Sequence, residues 1–377
     1  MSTALPTALR HRADRAAADG SVAEWLLDGP AQLRDGPHAG AIAGCVSRSG
    51  SASYVYPEIA GYYLQWLAWR AYRFGSPNGL VQRALAVQRW LLVWLAAGDP
   101  PPTRMHLDGT GGDWRNRAVF CFDVAMVVRG LGAAAHARLL MPDAAVVAGV
   151  ARQLELLVAA DGQFDACAMH AAGDAFPARW STRRGAFLAK AAAGILTAAT
   201  ALPGLPVRLV RAAEDTFAAS LAALAEQPHR EAHPLLYAFE GVLALPAHPR
   251  FAGALPVVAA QFDALLAQAG PDGFLPETIG APLAQGPERI DVLAQSLRIG
   301  HLLTAHRPQQ PPDRVALLRL RHALARQVHG SGAVTFARDA TAQPWNVWAA
   351  MFADQALAFA APARDADAGW RTDPLLV

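Results

Sequence analysis

Five acidic residues stand in apolar, helix-patterned stretches of this chain: Glu58, Asp123, Glu240, Asp291 and Asp354. Most have polar companions at helical spacing, which puts them on one face of a helix. Glu58, Tyr62 and Gln65 fall at i, i+4 and i+7, as do His233, Tyr237 and Glu240, and Asp291, Gln295 and Arg298. Arg183, Phe187 and Lys190 repeat the spacing, and Asn346 and Asp354 lie two turns apart. Two carboxyls, one kept protonated and one ionised, can perform general acid–base work, and His or Tyr can share it. Arg or Lys can neutralise an anionic reactant. An isolated carboxylate at a helix start, as at Glu58, also has a plainer use with the helix dipole. Five on separate helices converge more naturally on one cavity than on five separate burials, each of which costs several kcal/mol.

The elements that must position them are helices. Hydrophobic residues make up 53% of the 377 and charged residues 17%, enough apolar material for an extensive core. Periodicity predicts helices over 57–74, 79–98, 117–137, 143–159, 183–201, 206–226, 233–245, 252–268, 288–306, 312–329 and 345–360, with one near 21–34. Strand alternation is scarce. Asp161-Gly-Gln-Phe164, Asp272-Gly-Phe274 and Gly330-Ser-Gly-Ala-Val-Thr-Phe336 recur as loop signatures between helix pairs. That recurrence marks a repeat architecture. The expected fold is all-α, an (α/α)6-type toroid of about six helical hairpins. Residues 1–50 form an N-terminal segment packing on the ring, 51–361 the toroid, and 362–377 a tail. Helices 143–159, 206–226 and 312–329 carry the charges of an outer layer, and their partners carry the polar stripes.

The remaining composition narrows the partners. Lys+Arg 33 against Asp+Glu 31 gives +2, so bulk charge does not argue for nucleic acid or an acidic membrane surface. Arg10, Arg12, Asp14 and Arg15 interrupt any signal-peptide core, and Arg83, Gln88 and Arg89 interrupt the most apolar segment, so neither export nor a membrane span is expected. Cys45, Cys121 and Cys167 are odd in number and widely spaced, as small buried residues of a reduced compartment would be. A cytoplasmic location follows. The twelve His residues are dispersed, phosphate-loop patterns are missing, and neither a metal site nor a cofactor is assigned.

Tyr56-Pro-Glu-Ile-Ala-Gly-Tyr62, Phe122-Asp123 with Arg129-Gly-Leu131, His233-Pro-Leu-Leu-Tyr-Ala-Phe-Glu-Gly241, the Gln295 helix and Trp345-Asn-Val-Trp-Ala-Ala-Met-Phe-Ala-Asp354 form an ordered set. Together they resemble an α/α-toroid family that is similar to six-hairpin glycosidases and associated with bacterial polysaccharide gene clusters. The resemblance runs from about residue 50 to 360. Val-Ala-Met after Asp123, and Lys190 in the third inner helix, depart from the family pattern.

A ring lined with carboxylates and aromatics suits sugars, whose apolar faces stack on aromatic rings while carboxylates and amides take the hydroxyls. Tyr56, Tyr62, Trp114, Trp345, Asn346 and Trp348 are the expected substrate contacts, with Arg183, Arg184, Lys190, Asp291 and Gln295. For glycoside hydrolysis the candidate carboxyls are Glu58, Asp123, Glu240 and Asp354, with Glu240 as acid and Glu58 as base or charge stabiliser. For a uronate lyase or epimerase, Tyr62, His233 and Tyr237 would carry the protons. A glycan-binding protein without catalysis and a toroid enzyme of small-molecule metabolism stand as alternatives. Oligomeric state is left open.

Overall fold

The computed structural model describes residues 22–75, 78–107, 109, 114–170, 177–226, 230–279, 288–338 and 342–360. The expected tail 362–377 and the first twenty-one residues lie outside the described residues. Helix α1 spans 22–28. It is followed by α2 (Pro57–Phe74), α3 (Asn78–Leu95), α4 (Cys121–His136), α5 (Ala144–Glu155), α6 (Leu188–Ala198) and α7 (Val207–Glu226). The chain continues through α8 (Ala232–Leu243), α9 (Phe251–Leu266), α10 (Ile290–His306), α11 (Arg314–Gln327) and α12 (Val347–Phe359). The even-numbered helices touch in the order α2, α4, α6, α8, α10, α12 and back to α2, closing an inner ring, and odd-numbered helices cover it. The chain therefore has the α/α toroid fold.

Sequence explains which helix goes inside. Every residue of α8 is buried, because its apolar residues run all round the helix. Outer helix α7 buries only one stripe: Leu209, Ala212, Ala213, Thr216, Phe217, Ser220 and Leu224. Glycines let the inner helices approach at the backbone. A Cβ on Gly61 of α2 would meet the Met126 backbone of α4, and one on Gly241 of α8 would meet Ala189 and Lys190 of α6.

The three recurring loop signatures fold alike. Each follows an outer helix and turns on a glycine in the left-handed region: Gly162 (φ 83), Gly273 (φ 89) and Gly332 (φ 84). The turns bury Phe164, Phe274 and Val334 as they lead towards α6, α10 and α12.

Short strands, which the sequence pattern did not announce, knit the entries to the inner helices. β1 (Ala43–Val46), β2 (Ala52–Val55), β3 (Met105–His106) and β6 (Trp345–Asn346) form one antiparallel sheet in the order β3-β2-β1-β6. β4 (Ala118–Phe120) pairs with β5 (Cys167–Met169). Strand pairing trims two expected helices, α4 beginning at Cys121 rather than 117 and α12 at Val347 rather than 345, while α6 begins at Leu188 rather than 183 after the short helical turn Trp180–Thr182. Among the described residues, no helix is long and apolar enough to cross a membrane.

Candidate active site

A cavity of about 620 Å³ opens at the end of the ring where the inner helices begin. Its wall takes Glu58 from the first turn of α2, Phe122 and Asp123 from that of α4, His233 and Tyr237 from α8, and Trp348 from α12. Trp180 and Arg289 come from the segments leading into α6 and α10. All six inner helices thus aim their positive dipole ends at one space.

Glu58 and Asp123 meet across the α2–α4 contact. The Tyr56 hydroxyl donates to Asp123 Oδ2 at 2.7 Å. Burial and the neighbouring Glu58 charge push the Asp123 carboxyl well above its usual range. Burial also raises Glu58, against the opposing pull of Tyr56, Arg104 and Lys190. Two carboxyls so placed titrate as a pair and retain a proton that solvated ones would lose. Burial works against the helix dipole at Glu58, and the charge of Glu58 is one of the causes that raise Asp123.

His233 is the imidazole of the described wall. Its Nδ1 lies 2.9 Å from Gln295 Oε1. Gln295 Nε2 donates to Glu240 Oε2 at 3.0 Å, and a carboxylate only accepts, so the orientation of the amide is fixed. Nδ1 of His233 must therefore carry its proton, leaving Nε2 with a lone pair. Burial and the Arg289 charge bring the His233 pKa down to about 3, so the ring is neutral at ordinary pH.

Beneath the cavity lies a buried ionic hub. Lys190 Nζ donates to Glu240 Oε2 at 2.8 Å, Arg298 donates to Glu240 Oε1, and Arg298 also donates to Gln355 Oε1 at 2.8 Å. Burial alone would raise the Glu240 carboxyl, but the Lys190 and Arg298 charges hold it below its usual value. Glu240 is thus ionised and sealed from the cavity, contrary to the expected acid role. The reason is helix geometry: a residue seven positions after His233 sits about 10 Å farther along the axis, below the floor. Lys190 belongs to the same hub, near the rings of Tyr62, Tyr237 and Phe352.

Asp354 is likewise outside the cavity wall. Its Oδ2 accepts from Trp66 Nε1 at 2.8 Å and Arg70 Nη1 at 2.9 Å, tying α12 to α2 where the ring closes. Asp291 is fully buried behind the wall and takes a two-pronged contact from Arg289, at 3.0 and 2.6 Å. Trp348 Nε1 donates to it at 3.2 Å, so Asp291 holds two wall residues rather than meeting a ligand. The Arg289 charge outweighs burial and brings the Asp291 pKa down to about 2.

Of the expected substrate contacts, Tyr56, Asn346 and Trp348 line the cavity. Asn346 also caps α12, accepting from Ala349 N at 2.8 Å. Tyr62 is buried and donates to the Tyr237 hydroxyl at 3.2 Å, and Gln295 is buried between His233 and Glu240. Trp114 packs on Phe120, and Trp345 packs beneath Arg48 and beside His329. Arg183 and Arg184 precede α6 and are exposed, and Arg184 pairs with Asp161 and Asp165. They therefore do not supply the cavity's positive charge.

Other arginines do. Arg104, Arg115, Arg179 and Arg289 all line it, along with Tyr54, Phe122, Trp180 and Phe336. Phe122 stacks on Tyr237 at 4.5 Å between centroids, an aromatic pair in the wall. The first three arginines sit in segments without periodicity, so no local signal marked them. Arg289, two residues before Asp291, was within reach of the sequence pattern.

No protein-family model matches the chain, and no curated protein matches it in sequence. Solved structures share its fold. A D-mannose isomerase superposes with a TM-score of 0.64 at 14% identity, over 91% of this chain and 97% of its own. The cellobiose 2-epimerase of Spirochaeta thermophila gives 0.61 at 14% identity, over 94% and 98%. A glycosidase variant in complex with glucose gives 0.60 at 16% identity, over 94% and 100%. At these identities the likeness concerns the fold.

Proposed function

We propose that this protein is a carbohydrate-active enzyme that moves a proton on a sugar held in the cavity, an epimerase, isomerase or lyase type of reaction. The observation that carries this reading is the pairing of a neutral His233, with Nδ1 protonated, and the proton-retaining Glu58 and Asp123 pair in one wall. His233 Nε2 takes a proton from a carbon beside a carbonyl, and the carboxyl pair gives its proton to the carbonyl oxygen, forming an enediol. Return of a proton to carbon and removal of the hydroxyl proton complete an epimerisation or isomerisation. The aromatic side chains of the wall, Phe122, Trp180, Tyr237 and Trp348, suit a sugar ring. The sugar isomerase and epimerase among the structures of this fold support the substrate class.

Glycoside hydrolysis is the second reading, favoured by the glycosidase of the same fold and by the raised Asp123 pKa, which a general acid needs. Two carboxyls flanking a glycosidic bond stand roughly 5 Å or more apart. Glu58 and Asp123 interact directly, so one of them would need a different partner as base.

Incubating the protein with a panel of aldoses, ketoses and uronates in D2O separates these readings. Deuterium entering at the carbon beside the carbonyl, and ceasing to enter in His233→Asn, is the expected result. Release of sugar from aryl glycosides without such exchange favours hydrolysis, and binding without either reaction rejects catalysis.

A further inference from the structure

One carboxylate oxygen is shared by three residues of the cavity wall. Asp291 Oδ2 accepts from Arg289 Nη2 at 2.6 Å and from Trp348 Nε1 at 3.2 Å, and it lies 3.6 Å from His233 Nδ1. Oδ1 accepts from Arg289 Nε at 3.0 Å and from the Val292 N–H at 2.9 Å, which pins the carboxylate at the start of α10. Asp291 itself is fully buried, whereas Arg289, Trp348 and His233 all line the cavity. A separation of 3.6 Å is too long for a good hydrogen bond, and Nδ1 already gives its proton to Gln295. It is short for an interaction between charges in a dehydrated wall. Gln295 and Asp291 therefore act on different forms of the ring: the neutral amide selects the tautomer, and the charged carboxylate favours the imidazolium. The other groups facing His233 are Lys190 of α6 and Tyr237 of its own helix, the latter at 4.2 Å between rings. Burial first, then the Arg289 and Lys190 charges, bring the His233 pKa down to about 3 against the pull of Asp291. A base that weak takes a carbon-bound proton poorly, so proton abstraction calls for a stronger one in the bound state.

We propose that Asp291 is a positioning residue that stabilises His233 once it has taken a proton, and that Arg289 holds this effect in check until substrate is bound. The inference rests on the proton-transfer reading above and deepens it. When Nε2 takes the carbon-bound proton, the C–H electron pair stays with the substrate and the ring becomes a cation beside the Asp291 carboxylate. Arg289 meets the cavity while it holds that carboxylate, so a substrate oxygen that accepts from its guanidinium draws it off Oδ2. The Asp291 charge is then left to His233, which becomes the stronger base. Trp348, donating to the same oxygen, is a second and weaker check.

NMR titration of the full-length protein, with the imidazole nitrogens labelled, reads the coupling without any substrate. Arg289→Gln should raise the His233 pKa by about one pH unit or more, and Trp348→Phe should raise it by less. Adding Asp291→Asn to Arg289→Gln should bring it back down. That double variant removes both partners of the buried pair, so it folds where Asp291→Asn alone leaves Arg289 unmatched. No rise in Arg289→Gln overturns the proposal, and so does a rise that persists undiminished in the double variant, which would be direct repulsion by Arg289 alone. Kinetics on a sugar that exchanges in D2O test the release by substrate. The acid limb of kcat, which reports the bound state, should lie about one pH unit or more above that of kcat/KM, and the two should converge in Arg289→Gln. Coincident limbs in the wild type overturn the check by Arg289. Deuterium exchange with an unchanged His233 titration in every variant overturns this inference alone. The expected titrations without exchange on any sugar leave the coupling standing and remove the proton-transfer reading.

Discussion

Gln295 faces His233 at 2.9 Å, its amide oxygen turned to Nδ1 because its nitrogen is occupied by Glu240. The buried ion cluster therefore sets which nitrogen of His233 holds a proton. Replacing Gln295 by Leu frees the ring to adopt either tautomer. Turnover should drop by about one to two orders of magnitude with a smaller change in KM, since the residue acts through His233 and not on the substrate. Nitrogen NMR of the imidazole should show Nδ1 protonated in the wild type and a mixture in the variant. An unchanged tautomer would refute the relay.

Glu240→Gln tests the hub itself. It leaves Lys190 and Arg298, both fully buried, without their shared carboxylate. Removing one partner of such a cluster costs about 3–5 kcal/mol, so a large fall in the denaturation midpoint is expected. Were Glu240 a cavity acid, the variant would instead lose turnover at nearly unchanged stability.

Much of the toroid was legible because helices buried on one or all sides write a 3.6-residue period into the chain, and left-handed turns need their glycines. Glu58, Asp123, His233, Tyr237 and Trp348 were legible as cavity residues for a related reason: each lies in or near the first turn of an inner helix. The same stripes misled farther down. Glu240 and Asp354 share a face with His233 and Asn346, but two turns along the axis separates wall from hub. Spacing gives the face of a helix and not the depth of the cavity. Arg104, Arg115 and Arg179 were illegible because aperiodic segments are placed by the strands and turns around them, which leave little trace in local sequence.

Asp354→Asn distinguishes ring closure from catalysis. The amide keeps an acceptor for Trp66 but loses the charge that pairs with Arg70. A loss of about 1–3 kcal/mol in stability is expected, with turnover of the folded protein close to wild type. A variant that is stable but inactive would restore Asp354 to the chemistry.

His233 also gives stability a pH dependence. In the folded chain its pKa is lowered from 6.5 to about 3, so between these values the unfolded chain binds a proton that the folded chain refuses. The folded state is then fully favoured above pH 6.5 and loses ground as pH falls towards 3. Across that window the wild type should lose up to about 1.4 kcal/mol per pH unit relative to His233→Asn. Denaturant titrations of both proteins at several pH values measure the difference. Parallel curves would mean that His233 is protonated in the folded state.

The carboxyl pair makes the sharpest kinetic prediction, because two substitutions should move one pKa in opposite directions. If Asp123 and Glu58 supply the proton, activity falls as pH rises through the pKa of the pair, giving the alkaline limb of kcat/KM. Glu58→Gln removes the negative neighbour that helps to raise Asp123, so the remaining carboxyl ionises at lower pH and the limb moves down. Tyr56→Phe removes a hydroxyl that donates to Asp123 Oδ2 and favours its ionised form, so the limb moves up. Burial is common to both variants and cancels from the comparison. Each shift should be read on residual activity over a broad pH range, with the wild type lying between the two variants. Shifts in the same direction, or none, would assign the alkaline limb to another group and leave the pair a structural contact between α2 and α4.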